Sequence, residues 1–121
     1  MRRGKVWGIT EPLLQTPLIE IHRLTILPNR QCSLHLHRHK WNCFIVVSGR
    51  LIIEVHKSDY DLVDRTELGP DDITTVRPGE KHRFISGRER VRAFEVYYPE
   101  GLSEDIVRQD VGGVIRKRGR A

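Results

Sequence analysis

An all-β sandwich or barrel is the fold class this sequence predicts, and three observations carry that prediction. Short runs rich in β-branched and aromatic residues recur along the chain, turn chemistry separates them at intervals of about 8–12 residues, and no long amphipathic helix competes. The first run, residues 18–27, holds Ile19, Ile21, Leu24, Ile26 and Leu27 and is stopped by Pro28-Asn29. Residues 32–37 and 43–48 follow, and Gly49-Arg50 turns the chain into 51–57. Ser58-Asp59-Tyr60-Asp61 reads as a loop before 62–68, and Gly69-Pro70-Asp71-Asp72 as a turn before 73–77. Pro78-Gly79 precedes 82–86, a polar turn spans 87–90, and 91–98 is the last clear strand. Only 103–107 looks helical, a short C-terminal turn with Ser103 as N-cap and acids behind it.

With 121 residues the chain is expected to form one domain over residues 18–110, with an N-terminal arm (1–17) and a basic, flexible tail (111–121). The formal charge of +5 invites a nucleic-acid reading, but its distribution opposes one. Seven of the 21 basic residues lie within 2–5 and 116–120, which leaves a body with 14 basic and 16 acidic residues. No aromatic residues interleave the basic tail as single-strand binders require, so no nucleic-acid partner is expected. No apolar run is long enough to span a membrane, and the basic N-terminus lacks the apolar stretch of a secretory signal. The expected compartment is therefore the cytoplasm. Cys32 and Cys43 then read as reduced, structural thiols. If 32–37 and 43–48 are neighbouring antiparallel strands, His37 lies near Cys43 and Cys32 is too far away for a disulfide.

The chemistry concentrates in two segments. His35 and His37, two apart on a strand, point to one face because side chains alternate. His82 follows a Pro-Gly turn about forty residues later. Imidazole suits Fe, Ni, Cu and Zn, and three imidazoles from two segments would leave positions open for substrate or water. His39 shares the parity of the pair but falls where the strand should end, and His22 and His56 read as ordinary strand residues. Arg38, Arg77 and Lys81 crowd the two segments and are candidate anion ligands, although alternation turns about half of such residues to solvent. Glu95 interrupts an apolar strand. Facing inward it is a candidate general base with a pKa raised by burial; facing outward it has no role.

The two segments resemble the paired motifs of the cupin superfamily. The first motif reads His-x-His, a few residues, Glu, six residues, Gly, and corresponds to His35, His37, Asn42 and Gly49. The second, Pro-x-Gly-x-x-His, corresponds to Arg77-Pro78-Gly79-Glu80-Lys81-His82 with Arg77 in place of the first proline, and Asp71-Asp72 stands for the turn ahead of it. Among cupins the chain is most similar to the C-terminal cupin domain of bifunctional mannose-6-phosphate isomerases/mannose-1-phosphate guanylyltransferases. That similarity runs through Phe44–Gly49, Arg77–Arg83, Phe94-Glu95-Val96 and Ser103–Arg108, and the nucleotidyltransferase domain has no counterpart. The resemblance implies a cupin-type jelly-roll barrel, or double-stranded β-helix, with one divalent transition metal (Fe, Mn, Ni or Zn) on His35, His37 and His82. It also implies a homodimer, often formed by exchanging terminal strands, for which residues 13–24 are the candidate segment.

Two departures from the family pattern bear on function. His35 stands where the closest family carries Gln, and Asn42 stands where it carries the acid. Asn42 neither neutralises a dication nor acts as a base, so it is at most a weak ligand. The resulting neutral, nitrogen-rich set leaves the metal charge for an anionic or chelating ligand to balance. The preferred expectation is a metal-binding module that takes a small anionic or sugar-like ligand. A metal-dependent sugar-phosphate isomerase or epimerase and an Fe(II) three-histidine dioxygenase are the alternatives, and fold alone does not choose among them.

Overall fold

The computed structural model describes residues 2–57, 62–99, 109 and 111–115. Among the described residues nine strands run in chain order: β1 (Arg3–Lys5), β2 (Gly8–Gln15), β3 (Glu20–Ile26), β4 (Lys40–Ser48), β5 (Leu51–Lys57), β6 (Leu62–Leu68), β7 (Ile73–Val76), β8 (Lys81–Ser86) and β9 (Val91–Pro99). They form a six-stranded sheet ordered β1-β2-β3-β9-β4-β7 and a three-stranded sheet ordered β6-β5-β8, antiparallel throughout. The two sheets pack as a jelly roll, the all-β class that the spacing of runs and turns predicts. No helix among the described residues is long and apolar enough to cross a membrane. The predicted helical turn at 103–107 lies outside the described residues.

Alternation along each strand builds the core. Phe44 and Val46 of β4, Leu51 and Ile53 of β5, Phe84 of β8, and Val91 and Ala93 of β9 all bury their side chains between the sheets. Phe44 meets Phe84 edge to face across the sheets at 6.2 Å. The same parity carries polar residues inward at one end of the barrel: Asn42 precedes Phe44, His82 precedes Phe84 and Glu95 follows Ala93, all buried. Gly49 sits in the β4–β5 turn at φ +83°, where an added Cβ would stand 2.5 Å from the Arg90 carbonyl oxygen. Its place in the first motif is thus a steric requirement.

The structure departs from the sequence reading in two places. Residues 32–37, expected as a strand beside 43–48, hold only one isolated bridge, His35 to His82, with a second just before them from Gln31 to Ile85. They lie along β8 because β4 is already paired on both edges, by β9 and by β7. Residues 3–15, expected within an arm, instead form β1 and β2 and extend the six-stranded sheet. Pro12 is accommodated next to the register shift between Pro12 and Leu14, where the ladder is already irregular. Residues 13–24 form the intrachain β2–β3 hairpin, whose turn is closed by the Thr16 hydroxyl accepting from the Leu18 and Ile19 amides.

Candidate metal centre and its cavity

Backbone hydrogen bonds bring the two histidine segments together. His35 and His82 exchange both of their backbone bonds, His35 N–H to His82 O at 3.1 Å and His82 N–H to His35 O at 2.8 Å. Gly79 N–H donates to the His37 carbonyl at 2.7 Å, so the Pro78-Gly79 turn clamps the other end of the His-x-His pair. Gly79 holds φ +84°, a left-handed conformation that favours glycine. The second motif is therefore the dock for the first. As a result His35, His37 and His82 present ligand atoms all within 4.8 Å of one another.

The ring orientations are set from outside the cluster. His35 Nδ1 lies 2.7 Å from the Ser33 carbonyl oxygen and His82 Nδ1 lies 2.9 Å from that of Glu80. A carbonyl only accepts, so each Nδ1 carries the proton and each Nε2 keeps its lone pair, the tautomer that a metal requires. Burial, reinforced by the neighbouring His35, His82 and Lys40, pushes the His37 pKa down to about 4. Burial lowers that of His82 as well. Both rings are therefore neutral donors near neutral pH.

Asn42 lies behind the trio. Its Nδ2 donates to Glu95 Oε2 at 3.1 Å and sits 3.2 Å from His82 Nε2, linking a cluster histidine to the buried carboxyl. Glu95 thus faces inward. Burial raises its pKa, opposed in part by hydrogen bonds from Asn42 and Tyr97. Two buried polar atoms here, His37 Nε2 and Asn42 Oδ1, have no hydrogen-bond partner among the described residues. Leaving such groups unpaired costs about 1–3 kcal/mol each. An ion among the imidazoles would use the His37 lone pair and take that of His82 Nε2 over from the Asn42 amide, so the residues present fit a metal.

A cavity of about 540 Å³ adjoins the cluster at His35 and is lined further by His22, Glu95, Tyr97, Trp7 and Phe84. Its size falls within the roughly 300–1,000 Å³ of small-molecule sites. His22 was read as an ordinary strand residue, yet it stands beside Glu95 in the β3–β9 register and meets the Tyr97 ring edge to face at 5.7 Å. The signal was its parity with Leu24 and Ile26, both fully buried. The Tyr97 ring also meets His37 at 5.0 Å and carries Lys40 Nζ over its face.

Arg38, Arg77 and Lys81 are all exposed and none lines this cavity. Lys81 alternates with the buried His82 and is therefore turned to the opposite side of β8. His39 is exposed and outside the trio, and His56 pairs with Glu54 on the outer face of the small sheet. Both cysteines are free. Cys32 Sγ accepts from the Phe84 amide at 3.2 Å, and burial pushes its thiol up to about 11, a structural and inert state.

Comparison with known proteins agrees with this geometry. The chain is 22% identical over 102 residues to a mannose-1-phosphate guanylyltransferase of Klebsiella pneumoniae, matching 84% of this chain but 20% of that protein. It therefore spans about a fifth of that relative's length. Among solved structures it superposes on the capsular polysaccharide assembling protein CapF of Staphylococcus aureus with a TM-score of 0.75 at 17% identity, covering 81% of this chain and 28% of CapF. KdgF of a Halomonas species gives 0.66 at 14% identity over 77% of this chain and 79% of KdgF. A Klebsiella pneumoniae protein with a double-stranded β-helix domain gives 0.68 at 22%, with 81% and 82% covered. These likenesses show the fold. The sequence profile of the cupin domain matches residues 22–97, the stretch that holds every histidine of the cluster, and the chain belongs to the cupin domain family.

Proposed function

We propose that this chain is a metal-binding cupin that holds a small anionic or sugar-like ligand in the cavity beside His35. The observation that carries the reading is the buried His37 Nε2, unpartnered among three imidazoles whose ligand atoms lie within 4.8 Å. A divalent transition metal (Fe, Mn, Ni or Zn) bound there would supply a Lewis acid with open coordination positions. His35, His37 and His82 would hold it, with the Ser33 carbonyl orienting the first ring and the Glu80 carbonyl the last. The set carries no formal negative charge, which favours a ligand that brings its own.

The test is metal content after purification and reconstitution, compared for the wild type, His37→Ala and His82→Ala. About one equivalent in the wild type and a loss of most of it in both variants is the expected result. Equal content in all three proteins would sink the site.

Glu95 favours a second reading, isomerase or epimerase. It is a buried carboxyl on the cavity wall, held by Asn42 and Tyr97, with its pKa raised by burial, the direction that suits a general base. Aldose phosphates are the substrates to assay, and turnover that Glu95→Gln abolishes while metal content is kept would distinguish this reading from binding alone. The three-histidine donor set supports a third, Fe(II) dioxygenase, for which oxygen uptake with a small thiol, diketone or catechol is the readout.

A further inference from the structure

The cavity has one wall that the cupin motifs do not supply. β1 and β2 continue the six-stranded sheet beyond β3, and their register places Arg3 opposite Thr10 and Lys5 opposite Gly8. Thr10 in turn pairs with the buried Leu24, and Gly8 with the buried Ile26. Arg3 and Lys5 therefore share the parity of the inward-facing residues, and both line the cavity that reaches His35.

The hairpin is fixed in place. Trp7 is buried against Phe84, edge to face at 4.9 Å, and its carbonyl accepts from Leu27 N–H at 2.8 Å. Arg30 Nη1 donates to the Val6 carbonyl at 2.9 Å. Gly8 lies so close to β3 that a Cβ would meet the Thr25 carbonyl oxygen at 1.9 Å.

Among the described residues no ion pair neutralises the charges on this wall. Arg23, Arg50, Arg65, Arg83 and Lys57 each pair with a carboxylate, whereas no acidic side chain among the described residues pairs with Arg3 or Lys5. The acid on the cavity wall, Glu95, is engaged by Asn42. The same cavity is lined by the neutral polar groups of Thr10, Gln15 and Ser33 and by the aromatic rings of Trp7 and Phe84.

We infer that Arg3 and Lys5 are the anion-recognition residues of this cavity, and that its ligand is a polyhydroxylated carbon chain bearing one charged group. The charged group, phosphate or carboxylate, lies against β1 while hydroxyl or carbonyl oxygens reach toward His35. This rests on the reading of the cavity as the ligand site, and it moves the cationic contact from Arg38, Arg77 and Lys81 to β1.

Calorimetry with glucose 6-phosphate, gluconate and uncharged glucose tests it, on metal-reconstituted wild type and on an Arg3→Gln/Lys5→Gln variant. The wild type should bind at least one charged probe more tightly than glucose by roughly five- to thirtyfold, the range for two partly screened cations. Which charged probe binds identifies the phosphate or the carboxylate. The double variant should lose that preference with metal content unchanged, and the charge-keeping swap Arg3→Lys/Lys5→Arg should retain it. A preference that survives in the double variant, equal binding of charged and neutral probes, or binding of none of the three overturns the inference. Loss of metal in the wild type itself would instead count against the metal centre, because the charged-versus-neutral comparison is read separately.

Discussion

At the scale of single residues, Asn42 decides how the polar end of this barrel is held together. It is buried, and its amide is shared between Glu95 and His82. An acid at this position would place a second carboxylate against Glu95, and like charges at that separation cannot both ionise. Asn42 removes that conflict and gives the buried carboxyl a donor. Asn42→Leu leaves Glu95 and His82 without this partner in an apolar surrounding, so a loss of about 2–4 kcal/mol in urea unfolding is expected. A change below about 0.5 kcal/mol would mean that water replaces the amide. The sequence made His35, His37 and His82 legible because each sits on a motif with fixed spacing. Parity with Leu24 and Ile26 turns His22 inward, but the roles of His22 and Tyr97 were not legible, because each depends on a neighbour distant in sequence, Glu95 for one and the His37 ring for the other. No local pattern encodes a neighbour more than fifty residues away.

Among the elements, the three-stranded sheet carries an ionic knot on its outer face. Glu54 of β5 pairs across the sheet with Arg65 of β6 and Arg83 of β8, and accepts from His56 Nε2 at 2.8 Å. The hydrogen bond from His56, then the guanidinium groups of Arg65 and Arg83, hold the Glu54 carboxyl below its ordinary range. A carboxyl depressed in the folded state stabilises the fold above its unfolded pKa of about 4.3, and that contribution is lost as the pH falls through the folded value. Stability should therefore decline more steeply with acid in the wild type than in Glu54→Gln. Urea midpoints taken at about pH 5, 4 and 3 measure this, and parallel curves for the two proteins would remove Glu54 from the account. The strands of this knot were readable from alternation and turns. The segment at 32–37 was not, because its composition is that of a strand while its candidate partner, β4, has both edges filled by β7 and β9. Pairing is a competition among all strands, and a local run of residues shows only one competitor.

Over the whole molecule, the first fifteen residues decide whether the protein is a barrel with a loose arm or one cooperative unit. Composition favoured the arm: the segment is short, opens on basic residues and contains Pro12. The structure favours the unit, since β2 pairs with β3 over most of its length and Trp7 belongs to the same buried cluster as Leu24, Phe44 and Phe84. A buried tryptophan truncated to alanine costs about 3–5 kcal/mol, a large share of the stability of a domain this size. If the hairpin is integral, Trp7→Ala lowers global stability by that amount. The β2 amides bonded to β3 then exchange hydrogen at rates near those of β3 and β9 in the wild type, because all open together. If the hairpin were an appendage, Trp7→Ala would leave the denaturation midpoint almost unchanged, and β2 would exchange orders of magnitude faster than β9. Hydrogen-exchange mass spectrometry on both proteins separates the two. The integral outcome is also what the cationic wall requires, since Arg3 and Lys5 can select a ligand only if β1 is held where the sheet places it.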